Sequence, residues 1–82
     1  MVYLEKIKVT DDSVKYYYYV SKGTNKGVLI YFRESGICRV EKFCEGDNED
    51  SCLEKHMGYA FYRLKQYVKE NKYPEMDMVA WG

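Results

Sequence analysis

Four residues in the middle of the chain carry the side chains most able to do chemistry: Cys38, Cys44, Cys52 and His56, spaced C-x5-C-x7-C-x3-H. Three thiols and one imidazole are the donor inventory of a structural zinc site, so a small zinc-binding domain is one reading. The spacing works against it. Residues 37–43 read as a strand, and six residues at ~3.3 Å each would hold Cys38 and Cys44 ~20 Å apart. No tetrahedral site with Zn–S bonds of ~2.3 Å spans that gap. Cys38 reads better as a small core residue, and a bridge between Cys44 and Cys52 is an alternative use of the other two. Cys52 and His56 lie one turn apart at the start of a predicted helix, where the dipole can lower a thiol pKa. Glu49, Asp50 and Glu54 surround them and disfavour the thiolate. The expectation is therefore no metal, no cofactor and no catalytic residue.

The run Glu45-Gly46-Asp47-Asn48-Glu49-Asp50 invites a calcium reading. A calcium loop of the EF-hand type needs Gly at its sixth position and Glu at its twelfth. Counted from Glu45, those positions are Asp50 and His56, so the pattern fails. Asp47, Glu49 and Asp50 are expected instead to form an acidic patch that steers or clamps a basic protein partner.

The remaining candidates are aromatic. In residues 14–21 one alternating set is Val14, Tyr16, Tyr18 and Val20, and the other is Lys15, Tyr17, Tyr19 and Ser21. With the first set inward, Tyr17 and Tyr19 face out. On the next strand, Tyr31 and Arg33 alternate with Ile30 and Phe32 and are expected on the same outer face. Tyr17, Tyr19, Tyr31 and Arg33 then form a contact surface, tyrosines as rigid amphipathic anchors and Arg33 as a planar donor fork. Such a face also has the composition of a base-stacking platform for single-stranded RNA or DNA, which is the second reading. Lys26-Gly27-Val28-Leu29-Ile30-Tyr31-Phe32 resembles the start of an RNA-recognition-motif signature. It departs at Val28, where that signature has an aromatic residue, and in the order of its elements.

These side chains must be positioned by strands first and one helix second. Residues 2–9 form the first strand, in which the apolar phase slips between Leu4 and Ile7. Either a bulge lies near Glu5-Lys6, or Tyr3 belongs to the inner set. Thr10-Asp11-Asp12-Ser13 is turn chemistry. Residues 14–21, 28–33 and 37–43 complete an antiparallel meander. The last hairpin has two candidate registers: a two-residue Ser35-Gly36 turn pairing Phe32 with Arg39, or a three-residue loop pairing Phe32 with Val40. The second is preferred, because it gathers Val28, Ile30, Phe32, Cys38 and Val40 on one buried face. Ser51 and Glu54 fit a capping box. Leu53, Met57, Ala60, Phe61, Leu64, Tyr67 and Val68 then recur at helical spacing, which predicts a helix over residues 52–71 stopped by Tyr73-Pro74. Residues 76–81 are expected to be a short fifth strand or an extended tail. The fold class is α+β: a four-stranded antiparallel meander, then one amphipathic helix packed on one sheet face.

Composition limits the function classes. The chain has 82 residues, with 13 basic and 13 acidic side chains. One domain is expected at this length. Zero net charge argues against a nucleic-acid binder held by bulk electrostatics. No apolar run reaches the ~18 residues of a membrane span, and no leader pattern opens the chain. Val, Ile, Leu and Phe number only 18, while tyrosines number ten, so tyrosine must supply much of the core. Three cysteines with no leader favour a reducing compartment, the cytoplasm. The reading is a non-enzymatic protein-binding module, monomer or homodimer, of the kind found among inhibitors, immunity proteins, antitoxins and antagonists that plug a target.

Overall fold

The structure, a computed structural model, describes residues 2–20, 23, 25–44 and 56–80. In chain order the elements are β1 (Val2–Val9), β2 (Ser13–Tyr19), β3 (Gly27–Phe32), β4 (Cys38–Lys42), α1 (His56–Glu70) and β5 (Met76–Val79). The strands form one antiparallel sheet in the order β4-β3-β2-β1-β5. The meander, the single helix on one face and the short fifth strand are those expected, and β5 adds to the edge beside β1.

Alternation in β2 sets the inner face. Val14, Tyr16 and Tyr18 are fully buried, and α1 lies over β1, β2, β3 and β5 through Ala60, Leu64 and Tyr67. The β1 slip is a bulge at Ile7, where the register shifts between Lys6 and Lys8. It lies just beyond the expected position, and it returns Val9 to the inner face opposite Val14. Tyr3 does not join the inner set. It stands opposite Tyr19 on the far face.

The β3–β4 hairpin differs from both expected registers. Tyr31 pairs with Cys38, Ile30 with Arg39 and Leu29 with Val40. The loop is Arg33 to Gly36, closed by Phe32 N–H to the Ile37 carbonyl at 2.9 Å and Gly36 N–H to the Phe32 carbonyl at 2.8 Å. Gly36 takes φ 73°, which glycine adopts without penalty. The helix ends within one residue of the expected position, by a cap of its own. Asn71 adopts φ 55°, Lys72 N–H reaches the Tyr67 carbonyl at 3.1 Å and Asn71 N–H reaches that of Val68 at 3.3 Å, which is a Schellman cap. The stop comes before Tyr73-Pro74. The expected capping box and the segment 45–55 lie outside the described residues.

Candidate functional site

The face of the sheet away from α1 can be read row by row from the strand pairing. One row is Lys8, Lys15, Ile30 and Arg39. The next is Met76, Glu5, Tyr17, Val28 and Lys42. A third sets Met78 beside Tyr3 and Tyr19, and Phe32 stands opposite Ser13. The centre of this face is an apolar strip along β3, formed by the half-buried side chains of Val28, Ile30 and Phe32. More exposed apolar groups extend it at the margins: Ile37 beyond the β3–β4 turn, Met76 and Met78 on β5.

Tyr17 and Tyr19 belong to this face as expected, but they differ in availability. Tyr19 is only 4% exposed, because its ring stacks on Tyr3 with centroids 5.4 Å apart and Lys26 lies above it at 5.1 Å. Lys26 also stands 5.3 Å from the Tyr17 centroid and 3.0 Å from Glu5 Oε2. The hydrogen bond to Glu5 holds its ammonium above the ordinary lysine range. Tyr19 is thus a floor under a lysine-capped stack, and Tyr17 is the more accessible ring.

Tyr31 and Arg33 are not on this face. Tyr31 is opposite Val14 in the core and 7% exposed. Arg33 donates from Nη1 to the Thr10 carbonyl at 2.8 Å and lies 5.7 Å over the Tyr73 ring, bracing the end of the meander. The strand phase is inverted: Leu29 and Tyr31 face the helix, and Val28, Ile30 and Phe32 face away. Both sets are apolar, so alternation within β3 cannot choose between them. The choice comes from β2, whose inner residues Tyr16 and Val14 oppose Leu29 and Tyr31. Asp47, Glu49 and Asp50 lie outside the described residues, as do Cys52 and the His56 side chain.

The inner side holds a second polar arrangement. Asp77 Oδ2 accepts from Tyr67 Oη at 2.5 Å and Arg63 Nη1 at 3.0 Å, while Oδ1 accepts from the Met78 amide at 2.8 Å. Tyr16 Oη donates to the Pro74 carbonyl at 2.6 Å. Burial, and for Tyr67 the bond to Asp77, push both phenols well above their ordinary pKa. Two fixed phenols and a carboxylate that accepts three hydrogen bonds clasp β5 to the helix. Burial likewise pushes the Cys38 thiol up to about 11, away from nucleophilic use at neutral pH. Among the described residues no group of three or more His, Cys, Asp or Glu is placed to hold a metal, and no helix is long and apolar enough to cross a membrane.

Comparison of the chain with protein-family models, with curated proteins and with solved structures finds no match.

Proposed function

We propose that the protein is a small non-enzymatic binding module that engages another protein through the open face of its sheet. The observation that carries this reading is the one-sided coverage. Among the described residues a single helix covers one face, and the other presents Tyr17, Val28, Ile30, Phe32, Met76 and Met78 together, ringed by lysine, arginine and glutamate. An apolar centre with a charged margin is the anatomy of a protein interface. Target inhibition by occlusion, as by an immunity protein or antitoxin, is the class of role that such a module serves. A reducing compartment, the cytoplasm, suits Cys38, which is a free thiol.

Burial of the tyrosine rings weighs against a base-stacking platform. Stacking needs an open ring face, and Tyr19 and Tyr3 cover one another. The test is lysine cross-linking of the protein with its bound target. Cross-links from Lys15, Lys26 and Lys42, lost in a folded Ile30→Asp variant, support the reading. Cross-links confined to Lys65 and Lys69 on the helix, with Ile30→Asp still binding, would refute it.

A further inference from the structure

The open face is unbalanced in charge, and its pattern specifies more than a protein partner of any kind. Resting on the reading of that face as the contact surface, we infer that it receives an amphipathic helix whose apolar stripe is flanked by carboxylates. Lys8, Lys15, Lys26, Arg39 and Lys42 stand on this face against Glu5 and Glu41. Lys15 pairs with Glu41 at 2.9 Å and Lys26 with Glu5 at 3.0 Å. Lys8, Arg39 and Lys42 are left without an ion pair among the described residues.

The cations lie on both sides of the apolar strip. Lys15 on β2 and Arg39 on β4 flank Ile30 in one row, two strand spacings or ~9.6 Å apart. That separation matches the ~10–12 Å diameter of a helix with its side chains. The Lys15–Glu41 ion pair, which joins β2 to β4 across β3, must part for a helix to lie there, a carboxylate of the helix replacing Glu41 beside Lys15. From Val28 to Phe32 the strip runs ~13 Å, or about nine helical residues. A helix laid along β3 would bury its apolar stripe on Val28, Ile30 and Phe32 and place carboxylates toward Lys8 and Lys15 on one side, Arg39 and Lys42 on the other. It would also supply a second helical layer, which the sheet lacks among the described residues.

The strip has a direction. At the Phe32 end, Asp11, Asp12 and Glu34 line a shallow depression with Phe32 and Ser35. The positive N-terminal end of the bound helix belongs there, and its carboxylates belong over Ile30 and Val28. The helix of a second copy is not that occupant, because the exposed side of α1 carries Lys65 and Lys69 against Glu70 and would meet like charge.

The test uses the full chain and three probes: a labelled helical peptide of about 14 residues with a leucine stripe flanked by glutamate, the same peptide with lysine for glutamate, and an oligothymidylate of about 12 nucleotides. The glutamate peptide is expected to bind at least about tenfold tighter than the lysine peptide at low salt and to weaken as salt rises. Amide shifts should map to Val28, Ile30, Phe32 and Arg39, and a spin label on the peptide N-terminus should broaden Asp12 and Glu34. The Arg39→Glu/Lys42→Glu variant, both sites exposed, should reverse the preference. Equal binding of the two peptides on these strands would overturn the acidic-helix inference and leave the open-face reading standing. Shifts confined to α1, or no binding by the glutamate peptide, would overturn the inference, and shifts on α1 would take the open-face reading with it. Tighter binding of the oligothymidylate on β3 would overturn both in favour of nucleic acid.

Discussion

Gly27→Ala is the most severe single-methyl change that the structure specifies. Gly27 opens β3 opposite Tyr18, where the chain leaving β4 crosses close above it. A Cβ there would stand 2.5 Å from the Cys44 amide nitrogen and 2.7 Å from the Lys42 carbonyl oxygen, and closer still to Tyr18 Cε1. Two of these neighbours are backbone and the third is the ring of a fully buried side chain, so none yields by a simple rotation. Overpacking of this kind costs about 1–3 kcal/mol. Displacing Tyr18 or Cys44 also breaks the buried bond from Cys44 N–H to Tyr18 Oη at 3.1 Å, worth a further ~1–3 kcal/mol when its donor is stranded. The alanine recovers about 0.4–1 kcal/mol by restricting the unfolded chain. The net expectation is a loss of about 3 kcal/mol, against a total of about 4–12 kcal/mol for a chain of this length. Urea unfolding followed by far-UV circular dichroism should show a midpoint lower by about 2–3 M at unchanged slope, and Tm should fall by about 12–24 °C. Gly23→Ala is the comparison. Gly23 has φ 85° with nothing within 4 Å of an added Cβ, so only conformational strain of ~1 kcal/mol applies. A Gly27→Ala cost no larger than that of Gly23→Ala would refute the close crossing and the register that creates it.

Three further perturbations check other parts of the structure. Leu29→Ala should cost about 3 kcal/mol in urea unfolding and Ile30→Ala less than about 1, since Leu29 lies under the helix and Ile30 on the open face; the reverse order would invert the strand phase. Tyr67→Phe removes the phenol that donates to Asp77 and should cost about 1.5 kcal/mol, with amide exchange in β5 rising before that in β2; unchanged exchange in β5 would deny the clasp. Stability should fall as pH rises above about 9, because Cys38, Tyr16 and Tyr67 hold their protons more tightly folded than unfolded. The folded state binds more protons, so the slope is negative: the contribution is complete below the ordinary thiol and phenol values of about 8.5 and 10 and is lost as pH rises through the elevated ones. Unfolding free energy that stays flat from pH 8 to 11 would contradict it.

The elements were legible in the sequence because each carries a local signal: clean alternation in residues 14–19, helical spacing from Ala60 to Val68, turn chemistry at Thr10 and Ser35-Gly36. The phase of β3 was not, because Val28-Leu29-Ile30-Tyr31-Phe32 is apolar at every position and buries well either way. Only cross-strand pairing decides it, and pairing is a tertiary property. The loop of four residues followed from the same register, so one wrong phase misplaced both Tyr31 and the hairpin. The helix stop was legible to within one residue, but its cap was not, because Asn71 supports a left-handed cap less conspicuously than glycine does. Of the expected contact residues, Tyr17 and Tyr19 were legible from β2 alone. Ile30, Lys26 and Arg39 were not, since their placement depends on β3 and β4.

The tyrosines take a different role once their hydroxyls are followed. Tyr16, Tyr18 and Tyr67 sit in the core, yet each hydroxyl fastens a segment that leaves the sheet or helix: Pro74 before β5, Cys44 after β4, and Asp77 within β5. A chain with few aliphatic residues can fill its interior with rings and use their polar ends to secure chain exits that a leucine could not hold. The abundance of tyrosine is therefore first a solution to packing, and it does not by itself mark a binding surface. That weight passes to the aliphatic strip on β3 and its flanking cations. The two roles separate experimentally. Removing a hydroxyl from Tyr16 or Tyr67 should lower stability and leave target affinity per folded molecule unchanged. Reversing the exposed Arg39 should abolish affinity at nearly constant stability, and charging the half-buried Ile30 should abolish it at a cost of about 1 kcal/mol in stability. A surface that only completed the fold would not divide its variants in this way.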